Sequence, residues 1–247
     1  MKKYFLSILI LLIATAVTFS IFKYRLNNGE QEIQKNLPAT YEEIFAYDKF
    51  LTGKEETAKE VADKLDLQLK RNRAKFIKIA GTKDNKELRV LFYMNFVSFY
   101  GYYYERDLPE KKTFKHLMWN TRFNNCGSST MILAMLLDRA GYSYRTVAIN
   151  NMSHGYIEVK LPNGWHVLDP TTNIWINRGT EDLMAKKPAS VKSFYLRAEN
   201  ANDQKARMHL ERGFDVLKLR ENMQKIGNGF DAKVDKYNYI DLKVWKY

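Results

Sequence analysis

Apolar residues are distributed differently in successive parts of the chain. From Tyr4 to Phe22 the residues are uncharged and rich in Leu, Ile, Val, Ala and Phe, with Lys2 and Lys3 before the run and Lys23 and Arg25 after it. A helix of this length rises about 28 Å, close to one hydrocarbon core. Soluble helices are seldom apolar on every face. Residues 1–25 therefore read as a signal anchor with one N-terminal membrane-spanning helix. A cleaved signal peptide is the rival, because Ala14 and Ala16 form a small-x-small pattern. The apolar stretch from Val17 to Phe22 that follows favours the anchor. Either reading places the main domain outside the cytoplasm, periplasmic or extracellular, and cleavage would make it secreted.

Beyond a polar linker at 26–39, the period changes to that of amphipathic helices. Thr40 and Glu43 have capping-box spacing ahead of Ile44, Phe45 and Leu51. Ala58, Val61, Ala62, Leu65 and Leu69 repeat at helical spacing towards Phe76, with Gly81 as the stop. Asp84 and Glu87 repeat the capping spacing before an apolar stretch, Leu88 to Phe99. Residues 40–112 thus form a helical N-terminal part. In 113–175 one more helix, Cys126 to Ala140, is followed by strand patterns. These are Tyr144 to Ile149, Gly155 to Leu161 and Trp165 to Leu168, with Asn163-Gly164 as a hairpin signal. Residues 176–247 return to helix around Asp203 to Ile226 and end in a strand or tail. Helices followed by one helix on an antiparallel sheet make an α+β pattern.

Composition narrows the classes of function. The chain has 247 residues, enough for a sizeable core, and 45% of them are hydrophobic. One cysteine excludes an internal disulfide framework and a Cys-rich zinc module. The four histidines show no metal-ligand spacing, so no metal or cofactor is expected. The net charge of +12 allows an anionic envelope polymer or anionic lipid as partner. Part of that charge flanks the membrane run, and no nucleic-acid motif accompanies it. The run Lys70, Arg71, Arg73 and Lys75 reads first as a solvated helix face. The aromatic residues from Phe92 to Tyr104 read as core first and as a sugar or peptide platform second.

The single cysteine stands in Asn124-Asn125-Cys126-Gly127-Ser128-Ser129, at the expected start of a helix. Unpaired N–H groups and the helix dipole stabilise a thiolate there. His154 begins one expected strand and Asp169 ends the next. An even-residue hairpin loop puts both on one face of the sheet. A two-residue Asn163-Gly164 turn would offset them by two pairs. A four-residue Leu161 to Gly164 loop would offset them by one, which brings them within hydrogen-bond reach. Nucleophile, base and orienting carboxylate then follow in the order Cys126, His154, Asp169. Taken singly, each has a plainer reading: a buried thiol, a packed imidazole, a strand-ending turn. His166 alternates away from Asp169 and reads as a solvent or packing residue. His116 and His209 have no visible partner.

The stretches Cys126-Gly127-Ser128-Ser129, Leu136-Leu137-Asp138-Arg139-Ala140-Gly141-Tyr142, His154-Gly155-Tyr156-Ile157-Glu158-Val159 and Gly164-Trp165-His166-Val167-Leu168-Asp169-Pro170-Thr171 resemble the transglutaminase-like superfamily. The resemblance covers Thr113 to Asn173. It differs from the common pattern at Asn124, where Gly is frequent, and at Tyr156, where Trp is frequent. It implies a papain-like α+β core, a nucleophile-bearing helix packed on an antiparallel sheet. It makes Cys126 the nucleophile, His154 the general base and acid, and Asp169 the orienting residue. The expected chemistry is cleavage or transfer at an amide of a peptide or protein, through a thioester. The Cys126 N–H is one oxyanion donor, and the Asn120 side chain or the Trp119 indole is the candidate for the second. A noncatalytic binding or scaffolding module of a cell-envelope assembly is the alternative from another class.

Overall fold

The computed structural model describes residues 36–101, 113–121, 125–149, 153–197, 216–227 and 237–240. The run Tyr4–Phe22, and with it the expected membrane-spanning helix, lies outside the described residues, as do Tyr102 to Tyr104, Asn124 and His209. Among the described residues no helix is long and apolar enough to cross a membrane. The chain divides into two units, Met1–Thr40 and Tyr41–Tyr247. Helix α1 (Leu37–Phe45) begins before Thr40, whose hydroxyl donates back to the Asn36 carbonyl at 3.0 Å. Thr40 is thus an interior helical residue and not a cap, and residues 37–39 are helix instead of linker.

Local signals explain the next helices. Helix α2 (Ala58–Ala80) opens on a capping box, in which Thr57 accepts from the Glu60 N–H and the Glu60 carboxylate accepts from the Thr57 N–H. It ends at Gly81, whose φ of 63° lies in the left-handed region that glycine adopts most readily. Helix α3 (Asn85–Tyr100) starts at Asp84, whose carboxylate accepts from the Glu87 N–H at 2.8 Å. Its rings are core: Phe92 packs on Phe45 and Phe76 at centroid distances of 4.8 and 5.0 Å, and Phe96 stacks on Tyr100. Helix α4 (Cys126–Arg139) is buried from Ser128 to Leu137.

The sheet has six antiparallel strands: β1 (Tyr144–Ile149), β2 (His154–Leu161), β3 (Gly164–Asp169), β4 (Ile174–Ile176), β5 (Val191–Ser193) and β6 (Tyr237–Ile240). Their order is β5-β4-β3-β2-β1-β6. With helices gathered before and after it, the fold is α+β. One face carries Val147 and Ile149, His154 and Tyr156, Val167 and Asp169, and Ile174 and Ile176. Short helix α5 (Thr180–Met184) and helix α6 (Val216–Ile226) cover that face through Leu183, Met223 and Ile226. The opposite face carries Ile157, Val159 and Leu168 and meets the earlier helices. There Thr130 donates to the Gly155 carbonyl at 3.2 Å, and Lys192 donates to the Ala80 carbonyl at the end of α2.

Helices cover both faces of β2, so its burial does not alternate along the strand. Tyr156 and Glu158 are as buried as Ile157 and Val159. Glu158 keeps partners inside, in Arg145 and in the N–H and hydroxyl of Thr180. The C-terminal segment adds the edge strand β6. The Arg145 guanidinium lies over the rings of Tyr239 and Trp165, at 4.3 and 4.4 Å from their centroids. The expected core role of the α3 rings gives a measurable contrast. Phe92→Ala will destabilise the fold by about 3–5 kcal/mol and Thr57→Ala by about 1 kcal/mol in urea denaturation. A Phe92→Ala loss smaller than the Thr57→Ala loss would contradict that packing.

Candidate active site

Helix α4 delivers the thiol. Asn125 is its cap: the side-chain oxygen accepts from the Ser128 N–H at 2.8 Å, and its carbonyl accepts from the Ser129 N–H at 3.0 Å. Cys126 is the first helical residue, so its own N–H has no acceptor within the helix and remains for an anion. The sequence Asn-Cys-Gly-Ser thus works as a cap followed by a nucleophile position. The apolar remainder of α4 fixes this start against the sheet. The thiol is half-buried and lies 4.0 Å from the Ser153 carbonyl. Ser153 itself has φ 47°, an uncommon conformation for serine, immediately before β2 begins.

The histidine and the carboxylate meet through strand register. Lys160 pairs with Trp165 and Leu161 with Gly164, so the loop is Pro162-Asn163. The expected Asn163-Gly164 turn does not form: Gly164, with φ 130°, closes the ladder as the first residue of β3. The register equals that of the four-residue alternative, with a tighter loop. Tyr156 therefore lies opposite Asp169, and His154 is one pair further along the same face. His154 Nε2 reaches Asp169 Oδ2 at 2.8 Å, with both side chains almost wholly excluded from solvent. Nε2 being engaged, Nδ1 is the ring nitrogen left for the thiol.

Burial works against charge on all three groups, and their mutual contacts overcome it. Burial raises the thiol pKa, but the hydrogen bond and charge of His154, with the Gly155 N–H, bring it below its ordinary value. Burial lowers the imidazole pKa, but Asp169 and Cys126 lift it to about 10. Burial raises the Asp169 pKa, but His154 and Thr172 hold it below the usual carboxylate value. The signs agree. A thiol pKa moved down and an imidazole pKa moved up are the two directions that favour a thiolate–imidazolium pair.

The remaining sequence candidates are dispersed. Trp119 donates its indole N–H to the Glu55 carbonyl at 2.6 Å, which commits that donor to the loop before α2 and not to an oxyanion. Asn120 follows it in a wide turn (His116–Thr121) and is exposed, so its amide stays available. His166 is a packing residue: fully buried, it contacts Asn163 Oδ1 at 2.7 Å and lies against Trp175. Burial and Arg178 hold its pKa near 4. Among the described residues no cluster of His, Cys, Asp or Glu is built to hold a metal ion. Sequence reasoning missed Thr172, whose hydroxyl and N–H both bind Asp169. The sequence Asp169-Pro170-Thr171 carries the signal of the turn, since an aspartate commonly accepts from the N–H two residues on, here that of Thr171 at 2.9 Å, but it does not point to Thr172.

Compared with protein-family models, with curated proteins and with solved structures, the chain matches none. The chemistry is therefore read from the site itself. A charge-paired thiolate has a direct signature. Iodoacetamide should modify Cys126 at pH 6 about 10–100 times faster than a free thiol. His154→Ala should bring the rate back to the free-thiol value. Equal rates in the two proteins, followed by mass spectrometry, would contradict the pairing.

Proposed function

We propose that this chain is a cysteine enzyme of the transglutaminase-like class with a papain-like core, acting on an amide bond of a peptide or protein. The observation that carries the reading is the joining of Cys126, at a helix start, to a buried His154–Asp169 contact. A helix-borne thiol, an imidazole that interacts with it and a carboxylate behind the imidazole are the parts that thioester chemistry needs. A scaffolding module has no use for a buried carboxylate and imidazole kept charged beside a thiol. The contact between the thiol and the imidazole therefore favours the enzyme over that alternative.

In the proposed mechanism the Cys126 thiolate attacks the substrate carbonyl carbon. The developing oxyanion takes the Cys126 N–H, with the Asn120 amide as the candidate second donor. The His154 imidazolium gives its Nδ1 proton to the departing nitrogen as the C–N bond breaks, leaving a thioester and a neutral imidazole. Water or a substrate amine then attacks the thioester. His154 takes the proton of the attacking group, and the thiolate leaves, restoring the ion pair. Asp169 stays ionised throughout and keeps Nε2 protonated and oriented. Water gives hydrolysis and an amine gives transfer. We place this domain outside the cytoplasm, anchored through residues 4–22, where an envelope peptide or protein is the substrate and an anionic envelope polymer fits the surplus charge.

The test is incubation of candidate envelope peptides with wild type and with Cys126→Ala, read by mass spectrometry. Wild type should cleave or couple a peptide, and Cys126→Ala should lose activity by at least about a thousandfold. The variant should keep its folding stability within about 1 kcal/mol. Unchanged turnover by Cys126→Ala would overturn the mechanism.

A further inference from the structure

Asp169 is completely buried, and a carboxylate there stays charged only when its lone pairs are met. Oδ1 accepts the N–H groups of Thr171 at 2.9 Å and Thr172 at 3.3 Å. Oδ2 accepts the Thr172 hydroxyl at 2.5 Å beside His154 Nε2. Three of these four donors come from the turn after β3, and two belong to Thr172. That turn is itself held from outside. Buried Arg220 on α6 donates one terminal nitrogen to the Thr172 carbonyl at 3.1 Å and the other to the Phe194 carbonyl at 2.7 Å. Asn173, with φ 53°, donates to the Tyr195 carbonyl at 2.7 Å and to Asn95 Oδ1 at 3.1 Å.

We propose that Thr172 is a positioning residue of the catalytic group: its hydroxyl and N–H lock the Asp169 carboxylate so that Oδ2 faces His154 Nε2, and Arg220 locks Thr172 from the C-terminal helix. The assignment rests on reading Cys126 as an activated nucleophile. A freely rotating carboxylate would offer His154 varied acceptor directions and let the ring turn Nδ1 away from the thiol. With the hydroxyl in place, one rotamer serves both oxygens. The C-terminal helix is then part of the site and not an appendage to it. Among the described residues the titratable and charged groups facing Asp169 are few. His154 and Tyr156 come from β2, Cys126 from α4, and Arg220 from α6 by way of Thr172. Glu158, further along β2, is matched by Arg145.

Thr172→Val keeps the shape and the N–H but removes the hydroxyl, whereas Thr172→Ser keeps the hydroxyl. The readout is the rate of iodoacetamide modification of full-length protein against pH, in which the single cysteine makes every adduct report Cys126. With one donor lost, Asp169 takes up a proton at higher pH and His154 loses its counter-charge earlier. Thr172→Val should move the acid limb of the profile up by about one pH unit and lower the plateau about tenfold. Thr172→Ser should return both towards wild type. Thr172→Ala carries the same expectation as valine and serves if valine does not fold. A limb unmoved in the hydroxyl-less variants, with only the melting temperature lowered, overturns the proposal, as does an equal shift in Thr172→Ser. A wild-type profile matching a free thiol overturns the reading of Cys126, and this assignment with it.

Discussion

The buried contact between His154 and Asp169 is the constraint on which the rest of the site depends. Neither group is stable there as an isolated charge, and each is the reason the other keeps its charge. The contact exists because β2 and β3 pair in one register. A slip of one residue would send every side chain of one strand to the opposite face, and a slip of two would move the partners about 7 Å along the sheet. The Pro162-Asn163 loop, closed by Gly164, sets this register. A surface hairpin therefore governs the chemistry at the far end of the same two strands.

The surrounding layers serve that contact from both sides. Helix α4 brings the thiol from one face, with its start fixed by the Asn125 cap. Helix α6 steadies the turn behind the carboxylate from the other, through Arg220. Between them β2 is covered on both faces, and His154 is buried beside the half-buried thiol. Exclusion of water strengthens the charge pairing; in the proposed reaction it would also preserve the thioester, and access of water or amine to the thiol would decide between hydrolysis and transfer.

Much of this was legible in the residues. Helical spacing from Ala58 and the left-handed stop at Gly81 located α2, and Asp84 located the start of α3. Cys126 at a helix start, with His154 and Asp169 at strand ends, announced the site. Other features depend on distant partners. The Asn-Gly pair at 163–164 is a strong local turn signal, yet the β2–β3 hairpin turns one residue earlier, at Pro162-Asn163. Thr40 and Glu43 have the spacing of a cap, but the backbone had already entered the helix at Leu37. Strands β4 and β5 are three residues each, too short for a period to register. The burial of Glu158 follows from α5, whose Thr180 meets it across 22 residues of chain. Thr172 was readable only once Asp169 was known to be buried.

The central claim is that a thiolate–imidazolium pair, backed by Asp169, is the resting state of the site. Nuclear magnetic resonance titration of the His154 ring measures this directly. The account requires the ring to be an imidazolium at pH 7 in wild type and to lose its proton only near pH 10. In Asp169→Asn that proton should leave at markedly lower pH. A wild-type His154 ring already neutral at pH 7, unchanged by Asp169→Asn, would contradict the account.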